Sequence, residues 1–253
     1  MLNLNGIAYT VSRRGKPTAP PLILIHGAGG MSLSWPPQIR RLADTTVFAP
    51  DLPNHGKSLR LDFQTLEEVA SILLDWLNNR QIHQMDLCGH SMGGAISLIL
   101  ALQAPSRIRK LIIIGSAARL AVNPILLELS AQPATLPQAI ELLIKWSFSR
   151  DTPQRLKELT AHRLRQNHPN TLYQDFYACN QFDLSSQLGK IQQPTLILTG
   201  EDDRMTPPES AQQLAQNLPN AQLQLIPNGG HMVVLEQPDE IAQRLWAFCH
   251  QPQ

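Results

Sequence analysis

The residues of this chain best suited to chemistry are a serine, a run of acids and a histidine, far apart and in that order. Ser91 lies in Gly89-His90-Ser91-Met92-Gly93, a G-x-S-x-G. The apolar run Met85–Cys88 before it has the length of one buried strand. Ala95–Leu102 after it, joined to Met92–Gly94, reads as a buried helix. A serine on a turn between strand and helix is forced into unusual φ/ψ, and the flanking glycines leave room for the chain to double back. The hydroxyl is thereby pushed out over the strand ends as a nucleophile. The Met92 N–H, at the helix N-terminus, is placed to stabilise an oxyanion.

A serine nucleophile needs a base, and the base an orienting acid. The strand-like run Pro194–Thr199 is followed by Gly200-Glu201-Asp202-Asp203-Arg204-Met205-Thr206-Pro207. The run Leu223–Ile226 is followed by Pro227-Asn228-Gly229-Gly230-His231. An acid among Glu201, Asp202 and Asp203, and the base His231, thus leave strands at the same end as Ser91. Gly115–Leu120, after the run Leu111–Ile114, carries no carboxylate and does not compete.

The elements that must position these groups alternate. Asn5-Gly6 between Leu2–Asn5 and Ile7–Val11 predicts a hairpin. Leu22–Ile25 and Thr46–Ala49 read as strands, as do 85–88, 111–114, 194–199 and 223–226. Helices are expected at Trp35–Leu42, from the capping box Thr65/Glu68 to about Asn79, at Glu209–Leu218 and at Asp239–Phe248. Strands alternating with helices predict an α/β fold with a mostly parallel, doubly wound sheet. The alternation fails once: about 80 residues before the strand at 194–199 show no strand signal, too long for a structureless loop. Pro124–Ser130, Leu136–Trp146, Pro153–Asn167 and Thr171–Asn180 read there as helices. A helical cap over 120–185, between core segments 1–119 and 186–253, would roof the carboxyl ends of the strands, where open α/β sheets bind ligands.

Composition narrows the function classes. Of 253 residues, 43% are hydrophobic and 16% charged, which allows a sizeable core. A formal charge of +1 gives no electrostatic case for nucleic acid or an anionic membrane. Cys88, Cys179 and Cys249 have no metal or pairing spacing, and no Lys-Ser/Thr follows Gly27–Gly30 to make a phosphate loop. No metal and no cofactor is implied. The first residues lack a basic stretch followed by an apolar run, so a cytoplasmic protein with reduced thiols is expected.

His26-Gly27, the Asp51–Ser58 loop, Gly89–Gly94, Gly200–Pro207 and Gly229–His231 together make the chain resemble the α/β-hydrolase superfamily over nearly its whole length. Within it the chain resembles lid-containing serine esterase-like members: carboxylesterases, C–C bond hydrolases and enol-lactonases. The resemblance implies that the acid is Asp203, three residues after Gly200, and that the base is His231. It implies an oxyanion hole made by the N–H groups of Ala28 and Met92. The activity implied is hydrolysis of carboxylic esters of small to medium acyl groups through an acyl-enzyme, by a monomer or homodimer whose partner is a small-molecule ester. Trp35, Trp146, Phe148, Met205 and Met232 are candidate pocket walls, with Trp146 and Phe148 expected as an aromatic pair nearest the acyl chain. Met232 stands where many C–C bond hydrolases carry Trp, which disfavours that chemistry. Enol-lactone and thioester hydrolysis use the same triad and stay open, as does a ligand receptor built on the scaffold. His26 and His55 are expected to hold loops, and the His90 side chain to point away from Ser91. Asn54 replaces the glycine usual in similar loops, and asparagine tolerates the left-handed region.

Overall fold

The computed structural model describes residues 2–251. Strand β1 (Leu2–Leu4) pairs antiparallel with β2 (Ile7–Arg13) through a turn in which Asn5 and Gly6 have φ of 49° and 81°. Two successive positive φ values define the tight hairpin turn that the Asn-Gly pair predicts. Then come β3 (Leu22–Ile25), helix α1 (Pro37–Arg40), β4 (Thr46–Pro50), α2 (Leu66–Asn79), β5 (Met85–His90), α3 (Met92–Gln103) and β6 (Ile108–Ile114). After an all-helical stretch follow β7 (Thr195–Gly200), a helix at Pro208–Asn217, β8 (Ala221–Ile226) and helices at Val233–Glu236 and Pro238–His250. The eight strands form one sheet in the order β1-β2-β4-β3-β5-β6-β7-β8, parallel from β4 to β8.

Alternate residues of the central strands feed two cores, as the period of two requires. Ile23, Ile25, Leu111 and Ile113 join the core under α2 and α3, while Leu22, Leu24, Ile112 and Ile114 join the core on the opposite face, with Trp35 and the C-terminal helix. Both faces being covered explains the unbroken apolar strands.

The stretch between β6 and β7 holds α4 (Pro124–Ser130), α5 (Leu136–Ser147), α6 (Gln154–Arg165) and α7 (Thr171–Gln181). These helices have a small core of their own, including Leu126, Ile140, Leu143, Leu172 and Phe176. The chain enters and leaves this insertion side by side: Arg119 bridges Asp183, and Leu184 N–H donates to Ala118 C=O at 2.8 Å.

The expected helix at Trp35–Leu42 shrinks to the single turn of α1, because Pro36 is held extended ahead of Pro37, which starts the helix. Strand β6 begins three residues before its apolar run. Its charges are hidden: Arg109 pairs with Asp86, and Lys110 Nζ donates to the Phe248 and Gln251 carbonyls at 2.6 and 2.7 Å.

Candidate active site

The G-x-S-x-G segment forms the predicted elbow. Ser91 has φ 55° and ψ −119°, between the end of β5 and the first residue of α3. The turn is closed too tightly for side chains on its flanks. A Cβ on Gly89 would lie 2.0 Å from the Gly93 oxygen, and one on Gly93 would lie 2.1 Å from the Ile25 oxygen. The strain at a non-glycine residue is a cost the surrounding packing imposes.

Three remote side chains converge here. Ser91 Oγ lies 2.9 Å from His231 Nε2, and His231 Nδ1 lies 2.9 Å from Asp203 Oδ2. With Nδ1–H donating to the carboxylate, Nε2 is left to accept the serine proton. Asp203 is buried at the end of β7, and its Oδ1 accepts the Met205 and Thr206 N–H groups at 2.8 and 2.9 Å. Burial would raise its pKa, but facing His231 and the Thr206 donors outweigh burial and hold the carboxyl below its ordinary value. Glu201 and Asp202 are exposed beside it.

Ala28 and Met92 were the expected oxyanion donors; Met92 follows the serine directly, and Ala28 lies in the turn after β3. Met92 is the first residue of α3, so its N–H has no acceptor within the helix. Gly27 C=O is turned inward, accepting Gly30 N–H at 3.0 Å and His26 Nδ1–H at 2.9 Å. In a trans peptide the N–H points opposite to the carbonyl, so the Ala28 N–H points outward from this turn. Ala28 and Ser91 both border the two cavities described next.

A cavity of about 90 Å³ is lined by Trp35, Phe148, Met205 and Met232 with Gly27–Gly30. A second, of about 540 Å³, is lined by Trp146, Met205, Arg119, Arg204 and Asn123. Ser91 and His231 border both. The expected Trp146–Phe148 pair is therefore split. Trp146 is on the last turn of α5, whereas Phe148 is its extended C-cap, with φ −110° and ψ 147°. The change of backbone state at the helix end sends the two rings to different compartments.

Two supporting residues escaped the sequence reading. Thr206 Oγ1 donates to Asp203 Oδ2 at 2.9 Å. His90 donates from Nε2 to the backbone carbonyl of His231 at 2.8 Å, so its ring braces the histidine loop without bonding Ser91. Burial, with the adjacent His231, lowers the His90 pKa to about 4. A lone His next to the serine carried no signal of a partner 141 positions away. His26 and His55 hold loops as expected: His26 Nε2 accepts the Leu52 N–H at 3.0 Å, and His55 Nδ1–H donates to the Pro53 carbonyl at 2.8 Å. Asn54 adopts φ 71°.

Among the described residues no three His, Cys, Asp or Glu side chains are grouped to hold a metal ion, and no helix is long and apolar enough to cross a membrane. All three cysteines are free and buried.

Residues 20–238 match the model of the alpha/beta hydrolase fold family. The chain belongs to this family, and it is a hydrolase of the α/β fold. It is 32% identical over 252 residues to the dihydrolipoyllysine-residue acetyltransferase component of the acetoin cleaving system of Pseudomonas putida, covering 90% of this chain and 63% of that protein. The chain thus spans less than two thirds of that relative's length. It is 30% identical over 236 residues to the pimeloyl-[acyl-carrier protein] methyl ester esterase of Nitrosomonas europaea, covering 87% of this chain and 92% of that protein. Among solved structures, a thermophilic esterase superposes with a TM-score of 0.83 at 28% identity, covering 98% of this chain and 95% of the other.

Proposed function

We propose that the protein hydrolyses carboxylic esters of small to medium acyl groups through an acyl-enzyme. The observation that carries this is the unbroken Ser91–His231–Asp203 hydrogen-bond chain. Ser91 Oγ attacks the ester carbonyl as His231 Nε2 takes its proton. Asp203 keeps the imidazole in the required tautomer and stabilises the imidazolium. The Ala28 and Met92 N–H groups receive the charge on the carbonyl oxygen, each such donor typically being worth ~3 kcal/mol of barrier. The tetrahedral intermediate collapses, the alcohol leaves with the proton from His231, and water repeats the cycle on the acyl-serine.

The two cavities suggest a division of the substrate. The acyl group remains on Ser91 between the two steps, whereas alcohol and water must exchange. The small apolar cavity suits the acyl chain, and the larger one, with Arg119, Arg204 and Asn123 on its wall, suits the departing alcohol. Residues 120–185 act as a cap over core segments 1–119 and 186–253. An ester named in an N. europaea relative and a 28%-identical esterase support an ester over a C–C bond.

The test is kcat/KM over p-nitrophenyl esters of increasing acyl length, lactones, thioesters and vinylogous diketones. Multiple turnover of short esters is expected. One or a few equivalents turned over on every substrate would instead indicate a ligand receptor.

A further inference from the structure

The turn that carries the Ala28 N–H is gripped by the helical insertion. Gly29 N–H donates to Asp175 Oδ2 of α7 at 2.7 Å, and Gly29 C=O accepts from Asn167 Nδ2, between α6 and α7, at 2.6 Å. Gly29 has φ 64°, and a Cβ there would lie 2.6 Å from Leu164 Cδ2 of α6, so the insertion packs directly onto this turn. Both peptide groups flanking Gly29 are therefore held by residues more than 130 positions away in sequence.

Asp175 is an expensive choice for a packing residue. Its side chain has no exposure, and its Oδ1 has no hydrogen-bond partner among the described residues. All its bonding runs through Oδ2, to Gly29 N–H and to His55 Nε2 at 2.8 Å. His55 Nδ1 faces the Pro53 carbonyl and so carries a proton, which leaves Nε2 and the carboxylate sharing a second. Burial opposes charge on His55, but Asp175 outweighs it and raises the His55 pKa. The result is a charge-assisted post, standing between the Asp51–Ser58 loop and the insertion, whose Oδ2 is shared by His55 and Gly29.

We propose that Asp175 and Asn167 are positioning residues for the oxyanion-binding turn, so that the insertion sets the direction of the Ala28 N–H as well as roofing the pocket. This rests on the hydrolase reading given above. The Ala28–Gly29 peptide plane is fixed by the Asp175 bond. Were it to rotate, the Ala28 N–H one peptide earlier would lose its aim, and the transition state would lose more than the ground state does.

The test compares Asn167→Ala, Asp175→Asn, Asp175→Ala and Gln174→Ala with the wild-type protein. It measures kcat and KM on p-nitrophenyl acetate, the rate of Ser91 phosphonylation by a small organophosphonate, and thermal melting. Gln174 is the control: it ties α7 to the core by accepting from Asn54 Nδ2 and donating to the Phe63 carbonyl, both at 2.9 Å, without touching the 27–30 turn. Asn167→Ala should lower kcat about tenfold and Asp175→Ala about a hundredfold, the latter matching the smaller losses seen when an oxyanion donor is removed. KM should stay within about twofold. Phosphonylation should slow in parallel, Asp175→Asn should recover part of the loss, and Gln174→Ala should match wild type. If Asp175→Ala does not fold, Asn167→Ala and Asp175→Asn decide. Unchanged kcat and phosphonylation in those two overturn the proposal, as does an equal loss in Gln174→Ala, which would make docking of the insertion the cause. A wild-type protein that fails to be phosphonylated at Ser91 removes the hydrolase reading itself, and this proposal with it.

Discussion

Trp146 and Phe148 flank a single residue, Ser147, yet line different cavities that meet at Ser91. Phe148 is 3% exposed and closes the small apolar cavity beside Met232, while Trp146 walls the larger one. The helix end between them divides the space on either side of the serine.

From this division, Phe148→Ala should extend acyl-length preference and leave alcohol preference alone. Trp146→Ala should do the reverse. Each change is expected to move kcat/KM between short and long groups by about tenfold, the scale of one or two misfilled methylenes. The check is a matrix of esters varied in acyl and alcohol length. Identical shifts from both variants would show that the compartments act as one.

Ser91 is expected to be the single site of attack by an organophosphonate. Its strained φ of 55° and its 2.9 Å contact with His231 Nε2 motivate this. Mass mapping of the adduct reads the site directly. Ser91→Ala should be unlabelled and inactive, and an active Ser91→Ala enzyme would remove the mechanism.

Asp203→Asn should lower kcat by about 10³–10⁴, because an amide supports the wrong imidazole tautomer. Asp202→Asn, altering an exposed neighbour, should be close to silent. Far-ultraviolet circular dichroism shows whether the fold is kept. A reversal of the two effects would move the acid one residue along the chain.

His90 makes stability depend on pH. Its folded pKa of about 4 lies below its ordinary 6.5, so between these values the unfolded chain binds the extra proton. Stability is therefore full above about pH 6.5 and falls as pH drops toward 4, by up to about 3 kcal/mol from this group. His26, buried and also lowered, adds in the same direction, whereas His55, raised by Asp175, contributes stability that is lost as pH rises through its folded value. Urea melts of the wild type and His90→Gln over pH 4.5–7.5 test this. The variant should be less stable at pH 7.5, having altered the bond to the His231 carbonyl, but show a shallower slope. An equal slope would exclude His90 as the titrating group.

Much of the architecture was written locally. Apolar runs of four to six residues marked β3, β6 and β7, because strands covered on both faces need no polar alternation. Thr65 and Glu68 marked the start of α2, and both capping bonds form, Glu68 N–H to Thr65 Oγ1 at 3.4 Å and Thr65 N–H to Glu68 Oε2 at 3.3 Å. The elbow was legible because only glycine fits at Gly89 and Gly93 once the chain reverses there. The short Val233–Glu236 helix after His231 was not legible, being a single turn with neither periodicity nor cap.

What the sequence by itself determined was a set of groups at strand ends: a serine on a tight turn, acids after one strand, a histidine after another, and helices filling the gap between. Spacing and residue type suffice for that, since they act over a few neighbouring residues. Which way each side chain turns depends on contacts between distant segments. Only the tertiary structure decided that His90 reaches the backbone of His231, that Trp146 and Phe148 border different cavities, and that Asp175 takes hold of Gly29. The His90–His231 and Asp175–Gly29 contacts join residues brought together by sheet order and by packing of the insertion, and no local pattern in the chain encodes a bond across 146 residues.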